Sequence, residues 1–110
     1  MAHSETIMTS ARRDEVIRTL TPLSSSTSPG RSVDITEIHI NDLTVDVEPL
    51  DIYEGFATAI DVYGTSEEDA KSNAERLFNL LSEKTNWRIA LEFDENDTPI
   101  LERPEQDPGA

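Results

Sequence analysis

The chain is expected to be an α+β protein: a mostly antiparallel sheet of four to five strands with one long helix packed on one face and a short N-terminal helix. Three observations point there. Four segments alternate apolar and polar residues with a period of two, "YGTSEEDAKSNAERLFNLL" repeats its apolar residues at helical spacing, and 110 residues suffice for one modest core but not two.

Residues 1–32 read as an N-terminal arm carrying a short helix and a Ser/Pro-rich linker, 33–103 as the single domain and 104–110 as a flexible tail. In the arm, "SARRDEVIRTL" has Ser10 at the expected N-cap. Ala11, Val16, Ile17 and Leu20 form a narrow apolar stripe, and the helix is expected to stop before Pro22. "TPLSSSTSPGRS" follows, with almost nothing to bury, and reads as a mobile linker or long loop.

In "SVDITEIHINDLTVDVE" the alternation changes phase. Ile38 and Ile40 occupy even positions, whereas Leu43, Val45 and Val47 occupy odd ones. A two-residue turn at Asn41-Asp42 reconciles them, because Ile40 then opposes Leu43 and Ile38 opposes Val45 on one side of a hairpin. Glu37, His39, Thr44 and Asp46 take the polar side. After the loop "PLDIYE", the segment "GFATAIDVY" sets Phe56, Thr58, Ile60 and Val62 against Ala57, Ala59, Asp61 and Tyr63 as a third strand. "WRIALEF" places Trp87, Ile89, Leu91 and Phe93 on one face, and "ILE" after the turn "DENDTP" reads as a short edge strand.

The helix between these strands is expected to start in a capping box, Thr65 with Glu68, and to carry Glu67, Glu68 and Asp69 where the helix dipole favours negative charge. Ala70, Ala74, Leu77, Phe78 and Leu81 make its buried stripe. The two alanines permit a close approach to the sheet.

Charge narrows function further. The chain has 23 acidic and 9 basic residues, a net charge of −14, which repels nucleic-acid phosphate; Arg12 and Arg13, the only basic cluster, do not offset it. Direct nucleic-acid binding is therefore not expected. Seven of the nine cations are Arg and two are Lys, a composition that points to a salt-loving source where screening relieves acidic self-repulsion. The absence of cysteine excludes disulfides and thiolate chemistry, and no apolar run is long enough for a membrane span or signal peptide. The expected location is a virion or the cytoplasm of a high-salt organism.

Candidate chemistry is sparse. His3 and His39 are the only histidines, and no nucleophile elbow accompanies them. "DENDTPILERPE" spaces Asp94, Asn96, Thr98 and Glu105 as a calcium loop does, but Pro99 stands where that loop needs glycine, so a hairpin turn is the better reading. Gly64-Thr65-Ser66 begins a helix as phosphate-binding turns do, yet three acids crowd the same turn. Trp87 alternates with Ile89 and Leu91 as a core anchor. No catalytic, cofactor-binding or metal-binding residue is assigned, no cofactor is expected, and the interface residues are unknown.

With these elements placed, "FATAIDVYGTSEEDAKSNAERLFNLL" resembles the strand-then-helix segment of tail-terminator and tail-completion (head-tail connector) proteins of tailed viruses. That resemblance implies a non-enzymatic ring at the junction of tail and head, with the chain itself and neighbouring structural proteins as partners. "GTSEEDAKSNAERLFNLLSEKTNW" is similar to dodecins, which implies flavin binding with Trp87 as the stacking residue, although dodecins begin directly with their first strand. A looser likeness through "EGFATAI" and "GTSEEDA" is to antitoxins, which implies an acidic inhibitor. The expectation is a non-enzymatic assembly protein of a tailed virus from a halophilic host, with the flavin binder or the inhibitor as the alternative.

Overall fold

A computed structural model of the chain describes residues 3–23, 26–29, 35–40, 43–50, 55–93 and 99–103. Seven strands, β1 (His3–Thr9), β2 (Ser26–Pro29), β3 (Thr36–Ile40), β4 (Leu43–Pro49), β5 (Thr58–Gly64), β6 (Ile89–Phe93) and β7 (Pro99–Arg103), form one sheet in the order β2-β3-β4-β5-β1-β6-β7. Every pairing in it is antiparallel. Helix α1 (Arg13–Leu20), followed by a 3-10 turn at Thr21–Leu23, lies over β4 and β3, and helix α2 (Glu67–Lys84) lies over β5, β1 and β6. The fold is the α+β arrangement the periodicities predict. Its central part, β1-α1-β4-β5-α2-β6 with strand order β4-β5-β1-β6, interleaves two split β-α-β units.

Two strands come from the segment read as an arm. His3–Thr9 is not part of a detached arm; it pairs along its whole length with β5 and, through Ile7, Met8 and Thr9, with β6. Ile7 is fully buried and Met8 nearly so, on opposite sides of the sheet. Ser26–Pro29, inside the expected linker, adds to the edge by pairing with β3. Residues 24–25 and 30–32 of that linker, and the tail at 104–110, lie outside the described residues.

The hairpin register is the predicted one: Ile40 opposes Leu43, Ile38 opposes Val45 and His39 opposes Thr44. The turn residues Asn41 and Asp42 lie outside the described residues. These apolar residues join Ile7, Ile60, Val62, Ile89 and Leu91 in one core with Val16 and Leu20 of α1 and Ala74, Leu77, Phe78 and Leu81 of α2. Both helices therefore cover the same side of the sheet. Trp87 is 6% exposed within this core and directs its indole N–H to Oε1 of Glu15 at 3.3 Å, which ties the chain before β6 to α1.

Several local expectations shift by a residue or more. Helix α1 begins at Arg13 with Arg12 at the N-cap and no side-chain cap. Ser10 instead joins strands, its N–H donating to the Arg88 carbonyl at 3.0 Å and its Oγ accepting from the Arg88 N–H at 3.0 Å. The cap of α2 is Ser66, whose Oγ accepts from the Asp69 N–H at 3.0 Å, while the Asp69 carboxylate reaches back to the Thr65 N–H at 2.8 Å. Asp69 thus takes the third helical position expected for Glu68, and its carboxylate binds the residue before the cap and not the cap itself. Phe56 lies outside β5 and packs with Met8 and Ala90 on the side away from the helices. Gly55, at φ 86°, allows that reversal of direction.

Candidate functional site

Because both helices lie on one side, alternation along the strands turns a second set of residues outward on the other. Its most ordered part spans β3, β4, β5 and β1. Register sets Glu37 opposite Asp46, Asp46 opposite Asp61 and Asp61 opposite Thr6, so three carboxylates stand in one row across adjacent strands. Like charges directly opposed on neighbouring strands repel. Here each is taken by a different neighbour. The Tyr63 hydroxyl donates to Oδ2 of Asp46 at 2.6 Å, the Thr6 hydroxyl donates to Oδ1 of Asp61 at 2.7 Å, and Oε1 of Glu37 lies 2.8 Å from Nε2 of His39. Hydrogen bonds to ionised acceptors are the stronger kind, and they hold this row in place.

The chain of contacts continues to Thr44, whose Oγ1 lies 3.2 Å from Nδ1 of His39. With Nε2–H donating to Glu37, Nδ1 accepts from the Thr44 hydroxyl, and the imidazole is fixed at both ends. Glu37 and His39 each keep 36% of their side-chain surface in solvent, so the pair stays accessible. Asp46, by contrast, is 4% exposed. Burial of a carboxylate in a strand requires polar neighbours, and Tyr63 supplies one of them.

Thr44 and Tyr63 also line a hollow of about 260 Å³ at the corner where β5 turns into α2, completed by Gly64, Thr65, Asp69 and Asn73. Gly64 makes the corner tight, since a Cβ there would meet the backbone N of Ala70 and stand 2.7 Å from its Cα. Asn73 donates through Nδ2 to the Tyr63 carbonyl at 3.0 Å, pinning the helix to the end of the strand. The hollow sets the hydroxyl-bearing Thr44, Thr65 and Tyr63 around the carboxylate-bearing Asp69. These suit a cationic guest; phosphate is opposed by Asp69, whose carboxylate already accepts from the Thr65 N–H and hydroxyl, and by Glu67 and Glu68 beside it.

At the other end of this face a small apolar patch, Met8, Ala90 and Phe56 with Leu50, is closed by Arg88. The guanidinium carbon of Arg88 sits 4.5 Å from the centroid of the Phe56 ring, and its Nε donates to Oε1 of Glu102 at 2.8 Å. The face is thus polar towards Tyr63 and sealed towards Phe56.

His39 occupies the exposed sheet face expected for it, and His3 lies at the start of β1 opposite Gly64. Trp87 is a core residue, so the stacking role implied by the dodecin likeness has no open indole face. The calcium-like spacing at Asp94, Asn96, Thr98 and Glu105 lies outside the described residues. Among the described residues no group of three or more His, Asp or Glu side chains is placed to hold a metal ion, and no helix is long and apolar enough to cross a membrane. Asn73 has no role in the sequence reading, and Asp46, placed there on the polar side of the hairpin, is buried where an exposed carboxylate is expected. Asn73 had a signal: it falls on the apolar stripe between Ala70 and Leu77, where a polar residue needs a reason.

No family model matches the chain, and neither the curated proteins nor the solved structures include a significantly similar one.

Proposed function

We propose that the protein is a non-enzymatic assembly protein that acts by self-association through the uncovered part of its sheet. Its most concrete form is a ring-forming minor structural protein of a tailed virus, of the tail-terminator or connector type, from a halophilic host. The observation that carries the reading is the one-sided packing of α1 and α2, which leaves Glu37, His39, Thr44, Asp61 and Tyr63 as a positioned, partly exposed array anchored on the buried Asp46. Random surface side chains lose entropy when fixed by a partner; side chains already held by hydrogen bonds lose less. The acidic, lysine-poor composition supports a high-salt setting, in which charge repulsion between copies is screened within a few ångströms.

The test is the mass of the purified chain by sedimentation velocity and native mass spectrometry at high salt, together with a search for it in purified particles. A discrete oligomer that co-purifies with tail or head components is expected. A strictly monomeric protein at high salt, absent from every particle, overturns the proposal.

A further inference from the structure

Resting on the self-association reading, we infer that the hollow lined by Thr44, Tyr63, Thr65, Asp69 and Asn73 is a socket for an arginine side chain presented by α1 of a second copy. Three observations converge on that occupant. The hollow, at about 260 Å³, has room for one long side chain, and it sets Asp69 beside Tyr63 and the hydroxyl-bearing Thr44 and Thr65. A guanidinium suits such a lining, because its rigid fork of N–H donors can meet a carboxylate and neighbouring hydroxyls together, which the point charge of an ammonium does less well. The chain is short of cations, and most of those described are already engaged. Arg13 bonds Thr36 and pairs with Asp14, Lys71 pairs with Glu67, Arg88 pairs with Glu102, and Arg76 reaches Asn73. Arg12 and Arg18, at the two ends of α1, are exposed and make no ion pair among the described residues.

The geometry of such a contact has a consequence for assembly. The acidic row Glu37, Asp46 and Asp61 borders the hollow, so two copies cannot bring this face against itself without opposing like charges. Helix α1 lies on the covered side of the sheet. A contact that joins α1 of one copy to the hollow of the next pairs two different surfaces; it is heterologous and closes into a ring or continues as a filament.

The experiment measures self-association by sedimentation at fixed high salt for the wild type, for an Arg12→Glu/Arg18→Glu double variant, and for Thr65→Arg. Thr65→Arg keeps the backbone N–H that caps Asp69 and fills the hollow from within its own chain. Circular dichroism confirms that each remains folded. The expected result is a dissociation constant raised about tenfold or more in both variants. If the wild type self-associates and both variants match it, the socket is overturned while the assembly reading stands. If the wild type is monomeric at every salt concentration, the assembly reading fails and takes the socket with it.

Discussion

The hydroxyl of Tyr63, at the end of β5, donates a 2.6 Å hydrogen bond to Oδ2 of Asp46 on β4. One residue thereby joins the buried carboxylate of the acidic row to the hollow at the start of α2, because the backbone carbonyl of the same Tyr63 accepts from Asn73 and both residues line the hollow.

Tyr63→Phe takes one partner from a carboxylate that is 4% exposed, and a loss of about 1–3 kcal/mol is expected. Asp46→Asn removes the charge instead. In a denaturant-based double-mutant cycle the two substitutions should couple; strict additivity would show that the bond is not formed in solution.

Trp87 is the single tryptophan and is 6% exposed, so native fluorescence should be blue-shifted and poorly quenched by acrylamide. Unfolding should shift it red. Trp87→Ala should cost roughly 3–5 kcal/mol, and added flavin should leave the emission of the folded protein unchanged apart from inner-filter absorption. An emission maximum typical of an exposed indole would contradict the packing against α1.

Removal of residues 1–9 deletes the strand between β5 and β6, not a detachable arm. The truncated chain should lack a cooperative thermal transition. The milder Ile7→Ala, at a fully buried position, should lower stability by about 2–5 kcal/mol. A truncation that melts like the full chain would refute the central position of β1.

Gly64→Ala places a methyl group against the backbone of Ala70. Neither the strand end nor the capped helix start can yield freely, so a cost of about 1–3 kcal/mol in chemical denaturation is expected. An unchanged midpoint would mean that the corner is looser than its geometry.

The frame of the α2 cap separates two neighbouring hydroxyls. Ser66→Ala should cost about 1 kcal/mol because Oγ accepts from the Asp69 N–H. Thr65→Ala should cost less, since the Thr65 N–H that binds Asp69 remains. The reverse order in thermal melts would restore Thr65 as the cap.

Sequence alone was enough for those elements whose burial is one-sided. The phase change between Ile40 and Leu43 specified a hairpin register, the Ala70-to-Leu81 stripe specified a covering helix, and Trp87, Ile89 and Leu91 specified a buried face, because each half-buried element leaves a periodic trace. The polar side of the hairpin was legible for the same reason. Its hydrogen-bond partners were not, since Tyr63 and Thr6 reach Asp46 and Asp61 from other strands.

Tertiary structure alone decided β1 and β2. In "HSETIMT" the adjacent Ile7 and Met8 are both buried, Ile7 under the helices and Met8 under Phe56, and a strand covered on both sides at one point shows no alternation there. "STSP" has no apolar alternation, and it is a strand because β3 offers an edge to pair with. Main-chain pairing of that kind depends on where the partner lies in space, which local residue pattern does not encode. The same holds for the hollow, which exists only where the end of β5, the start of β4 and the first turn of α2 meet.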